Sequence, residues 1–113
     1  MQYALKGIRL YWAERNAKIQ LTMAIIYAIV AYLVEFSYVD WCIFLLCCAM
    51  VFTAEALNTA MEHMVDFVSP DYHEKAGKIK DIAAGAVLMS ALIAAIIGVL
   101  LIWNRLTPSG CFG

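Results

Sequence analysis

Charged residues are scarce in this chain of 113 residues, in which Lys, Arg, Asp and Glu together make up only 15%. Hydrophobic residues make up 65%, and the mean hydropathy is +0.78. Soluble domains carry about 25% charged residues, so the composition excludes an ordinary soluble domain and indicates a membrane protein. Repeats, low-complexity stretches and signs of a second domain are absent too, so we expect one domain over residues 1–113.

The cysteine pattern lacks the spacing of a redox or metal motif. None of the four cysteines forms a CxxC pair, and two of them fall in the middle of an apolar segment; the four are Cys42, Cys47, Cys48 and Cys111. We therefore interpret them as buried structural thiols. The N-terminus lacks the continuous apolar core of a cleavable signal peptide.

Two further motifs of nucleotide and metal proteins are missing. Gly77 and Lys78 are followed by Ile79 and lack the earlier glycine of GxxxxGK[ST], which excludes a P-loop. A di-iron helix bundle needs Glu-x-x-His pairs, and the residue three positions after Glu62 is Val65. Any nucleotide site in this chain is therefore of another kind.

Long apolar segments predict three membrane-spanning helices, over residues 19–34, 39–61 and 82–103. The last two have near the roughly 20 residues that a bilayer core requires. The first is short unless it recruits the end of the helix before it. Residues 1–18 are typical of an amphipathic helix on the membrane surface, and alanines and glycines in the third span favour close packing between helices.

Basic residues are absent from the connection between the first two spans, and this absence predicts the orientation. Positive charge is retained on the cytoplasmic side of a membrane. Seven of the eight basic residues fall on one side by this topology: Lys6, Arg9, Arg15, Lys18, Lys75, Lys78 and Lys80. We therefore expect the N-terminus and the second connection in the cytoplasm.

Four polar residues interrupt the end of the second span: Glu55, Asn58, Glu62 and Asp66. Their spacings of three, four and four place them within roughly 80° of one another on an α-helix, so they share one face, here called the acidic stripe. Ionisable groups at membrane depth mark functional sites. Carboxylates suit Mg²⁺, and Lys80 nearby would suit phosphate.

Other interpretations of the acidic stripe remain open at this point. Glu55 could be a protonated carboxyl inside a helix bundle, while Glu62 and Asp66 could be solvated acids at a helix end. A cation or proton conductor would use the stripe as a relay, although the outer part of the second span, over residues 42–52, has no polar group beyond cysteine. A structural assembly subunit would leave the acids unexplained.

Two runs of sequence resemble a known family. EALNTAMEHMVD (residues 55–66) and KIKDIAAGAV (78–87) match the pattern E-x-x-N-[ST]-A-x-E-x-x-x-D with a following K-D-x-[AG]. Together with KGIR (6–9) and WAE (12–14), they closely resemble the prokaryotic diacylglycerol kinase and undecaprenol kinase family. The resemblance implies a bacterial inner-membrane homotrimer of three-span subunits with a surface helix, transferring the γ-phosphate of MgATP to a lipid hydroxyl on the cytoplasmic side.

The resemblance also implies roles for individual residues. Glu55 matches the general base and Asn58 a polar helper, while Glu14 and Glu62 match the carboxylates that hold Mg²⁺. The positions that match nucleotide-binding residues are Tyr3, Glu14, Glu62, Asp66, Tyr72, His73, Lys80 and Asp81. Those that match lipid-binding residues are Arg9, Trp12 and Glu55. The implied partners are ATP, a membrane lipid alcohol and further copies of the chain, with no nucleic acid.

The loop over residues 69–73 and the run over residues 80–87 look more like the undecaprenol kinase branch of that family. We therefore expect undecaprenol as the lipid substrate. Diacylglycerol is the alternative, because no single residue decides between the two.

Overall fold

A computed structural model describes residues 2–71 and 73–107, and all the regular structure in these residues is helical. The helices are α1 (Gln2–Trp12), α2 (Arg15–Leu33), α3 (Tyr38–Val68) and α4 (Glu74–Leu106). Helices α3 and α4 pack side by side as an antiparallel hairpin, and α2 packs more sparsely against α3. The predicted all-α architecture is confirmed.

Three of the helices, α2, α3 and α4, are long and apolar enough to cross a membrane. Helix α2 has 19 residues and measures roughly 28 Å at 1.5 Å per residue. It reaches this length because it recruits residues 15–18. Helices α3 and α4 have 31 and 33 residues, roughly 46 and 50 Å, and exceed the roughly 30 Å of a bilayer core.

The first helix is shorter than the sequence predicts, because the chain breaks at Ala13 and Glu14 rather than continuing to residue 18. Glu14 has an extended backbone (φ −70°, ψ 144°) and precedes α2 as its N-cap. Neither proline nor glycine occurs there, so nothing local predicts a break. The break allows α1 to fold back onto α3, where the Trp12 ring meets the Phe52 ring with centroids 5.3 Å apart.

Helix α2 ends in a Schellman turn that carries a glutamate where glycine is usual. The Phe36 amide donates to the Ala31 carbonyl at 3.1 Å, and the Glu35 amide donates to the Tyr32 carbonyl at 3.2 Å. Glu35 therefore adopts a left-handed backbone with φ 61°. This conformation crowds the Cβ atom of any residue other than glycine.

Helix α3 begins with a capping box. The Ser37 hydroxyl accepts from the Asp40 amide at 3.2 Å, and the Asp40 carboxylate accepts from the Ser37 amide at 3.0 Å. The same carboxylate lies 3.8 Å from the Arg105 Nε atom near the end of α4. Asp40, which is buried, thereby links the start of α3 to the end of α4.

The connection between α3 and α4 covers residues 69–73 and is shorter than the predicted loop of residues 69–78. Helix α3 ends at Val68, two residues before Pro70, as expected of a proline. Helix α4 begins early because the His73 imidazole acts as its N-cap, with Nδ1 accepting from the Lys75 amide at 3.1 Å. Glu74 in the first turn suits the positive end of the helix dipole.

Aromatic rings hold the three long helices together at the end opposite this connection. Tyr27 stacks on Phe44 with centroids 5.0 Å apart, and Phe36 and Trp41 pack edge-on around them. The Tyr27 hydroxyl donates to the Gly98 carbonyl of α4 at 2.7 Å. A Cβ atom on Gly98 would lie 3.3 Å from the Tyr27 ring, so glycine permits this close approach.

Most apolar side chains of the described residues face outward. The buried hydrophobic residues are Ala17, Ala31, Phe36 and Val65, and α4 buries none. Outward apolar faces suit a helix whose surroundings are lipid or other apolar helices. A Cβ atom added to Gly85 would meet nothing within 4 Å, so the small-residue face of α4 is open to close approach.

Replacing Glu35 by glycine should stabilise the protein, because glycine adopts the left-handed conformation without crowding. The relief is partly offset by the greater freedom of glycine in the unfolded chain, leaving a gain of about 0.5–1 kcal/mol. The thermal unfolding midpoint in detergent micelles should rise by roughly 2–4 °C for a domain of this size. Glu35→Ala is the control; an equal rise for alanine would assign the gain to charge removal instead.

Candidate active site

The acidic stripe divides into a buried part and an exposed part. Glu55 is only 9% exposed, whereas Glu62 and Asp66 near the end of α3 are exposed. Asn58, one turn after Glu55, is half-buried, and its Oδ1 atom is buried without a hydrogen-bond partner. The stripe therefore presents one carboxyl group to the protein interior and two to the surroundings.

The end of α1 covers the region around Glu55. The Trp12 ring packs edge-on against Phe52, one turn before Glu55, and Tyr11 lies beside Trp12 with ring centroids 5.1 Å apart. Burial raises the pKa of the Tyr11 hydroxyl, and the charge of Glu55 raises it further. Tyr11 therefore stays protonated at neutral pH and can act as a hydrogen-bond donor.

Glu14 reaches α3 beside the predicted metal-binding carboxylate. Its Oε1 atom lies 3.6 Å from the His63 Nε2 atom, and His63 directly follows Glu62 in α3. The break between α1 and α2 makes this approach possible, because Glu14 lies at the break. Glu14 therefore contacts α3 at the residue next to Glu62.

A third group of predicted residues meets where α3 ends and α4 begins. The Lys80 Nζ atom donates to the Asp66 carboxylate at 2.5 Å, and Asp81 follows on the exposed surface of α4. His73 caps α4 two turns earlier. The charged side chains of this group lie closer than Glu55 to the connection between α3 and α4.

The remaining predicted residues are Tyr3, Arg9 and Tyr72. Tyr3 and Arg9 lie on α1 and are exposed. Tyr72 lies outside the described residues.

Within residues 2–71 and 73–107, no group of three His, Cys, Asp or Glu side chains could hold a metal ion. Magnesium usually takes one or two carboxylates and fills its remaining positions with water and substrate phosphates. The predicted magnesium ligands, Glu14 and Glu62, would supply two carboxylates.

An apolar cavity of about 300 Å³ lies between α2, α3 and α4. Gln20 and Phe52 line the end towards Glu55, and Tyr27 and Gly98 line the other end. Its wall is otherwise built from apolar side chains, alanines and the thiols of Cys47 and Cys48. A cavity of this character accepts hydrocarbon rather than a charged group.

Sequence reasoning missed two polar residues near Glu55. The Tyr11 hydroxyl and the Gln20 Oε1 atom are buried, and neither has a hydrogen-bond partner. A polar side chain within a membrane span is itself a signal of function, so Gln20 could have been noticed. Tyr11 could not, because a tyrosine at the membrane surface is ordinary.

Comparison with known proteins identifies the family of the chain. The model of the family "Prokaryotic diacylglycerol kinase" matches residues 2–102. The chain belongs to this family. As a prokaryotic diacylglycerol kinase family member it is a membrane lipid kinase, and kinase activity implies the use of ATP.

Individual members of the prokaryotic diacylglycerol kinase family differ in their named lipid. The chain is 41% identical over 93 residues to the undecaprenol kinase of Bacillus subtilis (strain 168), covering 82% of this chain and 76% of that protein. It is 31% identical over 104 residues to the diacylglycerol kinase of Escherichia coli (strain K12), covering 91% and 85%. The diacylglycerol kinase of Synechocystis sp. (strain ATCC 27184 / PCC 6803 / Kazusa) is 36% identical over 99 residues, covering 86% and 57%.

Removing the Phe52 ring should detach α1 from α3. An edge-on aromatic pair contributes about 0.5–1.5 kcal/mol. Phe52→Ala should therefore increase the fraction of molecules with α1 detached roughly two- to tenfold. Tryptic cleavage after Lys6 and Arg9 should increase by the same factor. Cleavage in detergent micelles is followed by mass spectrometry. Leu46→Ala, at an exposed position of the same helix, is the control. Equal cleavage rates for wild type and Phe52→Ala would show that this contact does not hold α1.

Proposed function

We propose that the protein is an undecaprenol kinase, which transfers the γ-phosphate of ATP to the hydroxyl group of undecaprenol. The observation that carries this proposal is that Glu55, a buried carboxyl group, lies along α3 between Phe52, which lines an apolar cavity, and Asp66, which pairs with Lys80. A lipid alcohol reaches such a carboxyl from the apolar side, and ATP reaches it from the charged side.

The reaction needs a proton acceptor for the lipid hydroxyl, and Glu55 is placed to be that group. As the alcohol oxygen bonds to the γ-phosphorus of ATP, the bond from that phosphorus to the β,γ-bridging oxygen breaks and ADP leaves. The proton of the alcohol passes to the Glu55 carboxylate. Asn58, one turn away with an unpartnered Oδ1 atom, would help to orient the reacting groups.

The exposed part of the site would neutralise the negative charge of the phosphates. Glu14 and Glu62 would hold Mg²⁺, which would supply positive charge to neutralise the phosphates. Lys80 would exchange its partner Asp66 for a phosphate oxygen, which is an equally good acceptor. Tyr3, Tyr72, His73 and Asp81 are assigned to the nucleotide, and Arg9 and Trp12 to the lipid, by the family resemblance.

The proposal places the protein in the bacterial inner membrane with its N-terminus and active site in the cytoplasm. Seven basic residues lie near the start of α1 and α2 or near the start of α4, and Arg105 lies near Asp40 at the other end. A homotrimer is what the family resemblance implies, and the outward apolar faces and the open surface at Gly85 leave room for neighbouring copies. Neighbouring copies would cover part of these faces.

Diacylglycerol is the alternative substrate, and the higher identity to an undecaprenol kinase favours undecaprenol. A cation or proton conductor is disfavoured, because beyond Glu55 the cavity wall is largely apolar and offers no continuous polar path.

Undecaprenol should be the better acceptor when the two lipids are compared. With radiolabelled ATP and Mg²⁺ in detergent micelles, we expect kcat/KM for undecaprenol to exceed that for diacylglycerol at least about tenfold, or 1.4 kcal/mol in transition-state free energy. Faster labelling of diacylglycerol would favour the alternative. If neither lipid is labelled, the proposed function is wrong.

Variants of the two glutamates should separate proton transfer from metal binding. Glu55→Gln should lower kcat by about 10²-fold or more without changing the Mg²⁺ concentration that gives half-maximal activity. Glu62→Gln should raise that Mg²⁺ concentration. Both are measured by titrating Mg²⁺ at saturating ATP, with the exposed Glu74→Gln as control. An unchanged kcat for Glu55→Gln would contradict its role as the base.

A further inference from the structure

The Tyr11 hydroxyl is a buried polar group that the proposed reaction does not yet use. Its oxygen is buried and has no hydrogen-bond partner. Buried polar atoms in folded proteins nearly always have a partner, and an exception calls for an explanation. A ligand that brings the missing partner is one such explanation.

Tyr11 lies where the lipid hydroxyl would have to be. The packing of Trp12 against Phe52 fixes the end of α1 over α3, one turn before Glu55. Glu55 is near enough for its charge to act on Tyr11, after burial, in raising the pKa of the phenol. Tyr11 and Glu55 therefore face the same small region from two different helices.

Gln20, which lines the apolar cavity, lies near the level of Glu55 along the neighbouring helix. Helices α2 and α3 are antiparallel, and their register is set by the contacts of Glu14 with His63 and of Tyr27 with Phe44. Because the two helices rise equally per residue, each contact indicates which residue of α3 lies level with Gln20. The contact of Glu14 with His63 gives residue 57, and the contact of Tyr27 with Phe44 gives residue 51. Glu55 lies between these limits.

We propose that Tyr11 binds the acceptor lipid, donating a hydrogen bond to the oxygen of the alcohol while the alcohol donates to Glu55. This inference rests on the proposed function. An alcohol oxygen carries one proton and two lone pairs, so it can satisfy a donor and an acceptor at once. Glu55 as a carboxylate supplies only acceptors, and Tyr11 supplies the donor that Glu55 lacks.

The arrangement holds the alcohol oxygen at one point with its proton directed at the base. Positioning of this kind lowers the barrier because the reacting oxygen is already oriented towards the phosphate. The hydrogen bond exists only with a hydroxyl-bearing lipid, so Tyr11 also helps to distinguish the alcohol from the other apolar molecules of a membrane.

Tyr11→Phe tests the inference, because it removes one oxygen and keeps the ring that packs beside Trp12. The probes are undecaprenol, diacylglycerol and a deoxy analogue of the better substrate, in which hydrogen replaces the hydroxyl group. We expect the KM for the alcohol to rise roughly three- to tenfold, as for the loss of one hydrogen bond. The KM for ATP and the inhibition constant of the deoxy analogue should be unchanged. Tyr38→Phe, at an exposed tyrosine, is the control.

Two results would overturn the role of Tyr11. One is an unchanged KM for the alcohol in Tyr11→Phe. The other is an equal loss of affinity for the alcohol and for the deoxy analogue, which would assign the effect to packing. Failure of the proposed function is a separate result, namely that the wild-type protein labels neither lipid.

Discussion

Glu55 is only 9% exposed although it lies on a helix whose apolar side chains mostly face outward. A carboxyl group is costly to bury unless it has hydrogen-bonding or charged neighbours. The end of α1 lies over this part of α3, with Trp12 packed on Phe52 and Tyr11 near enough for the charge of Glu55 to raise the pKa of its hydroxyl. Along α3, Glu55 lies between Phe52, which lines the apolar cavity, and Asp66, which pairs with Lys80 of α4.

Directional contacts, rather than a core, hold the helices in this arrangement. Few residues are buried, so hydrophobic packing within one chain cannot fix the register of three long helices. The Tyr27 hydroxyl on the Gly98 carbonyl joins α2 to α4, and Asp40 joins α3 to α4 through Arg105. At the opposite end Lys80 joins α4 to α3 through Asp66. These contacts set the depth of Glu55 relative to the neighbouring helices.

The shape of the site follows from a short break in the chain. If residues 1–18 formed one helix, Glu14 would continue along it and Trp12 could not turn back onto α3. The break at Ala13 and Glu14 places both side chains against α3, Trp12 at Phe52 and Glu14 at His63. A family that binds ATP and a lipid in one site needs residues from both the membrane surface and the spans, and this break brings the two together.

The sequence by itself determined the helical class, the three spans, the acidic stripe and the family, because apolar length, helical spacing and a long motif are local properties. It missed the break after α1, and it predicted the connection before α4 too long, since neither glycine nor proline marks the first and a histidine cap shortens the second. Only the tertiary structure decided that Glu55 is buried while Glu62 is exposed, and that the Tyr11 hydroxyl and the Gln20 Oε1 atom are buried without hydrogen-bond partners. Those facts depend on contacts between residues far apart in the chain, and periodicity along one helix carries no information about what another helix places in front of it.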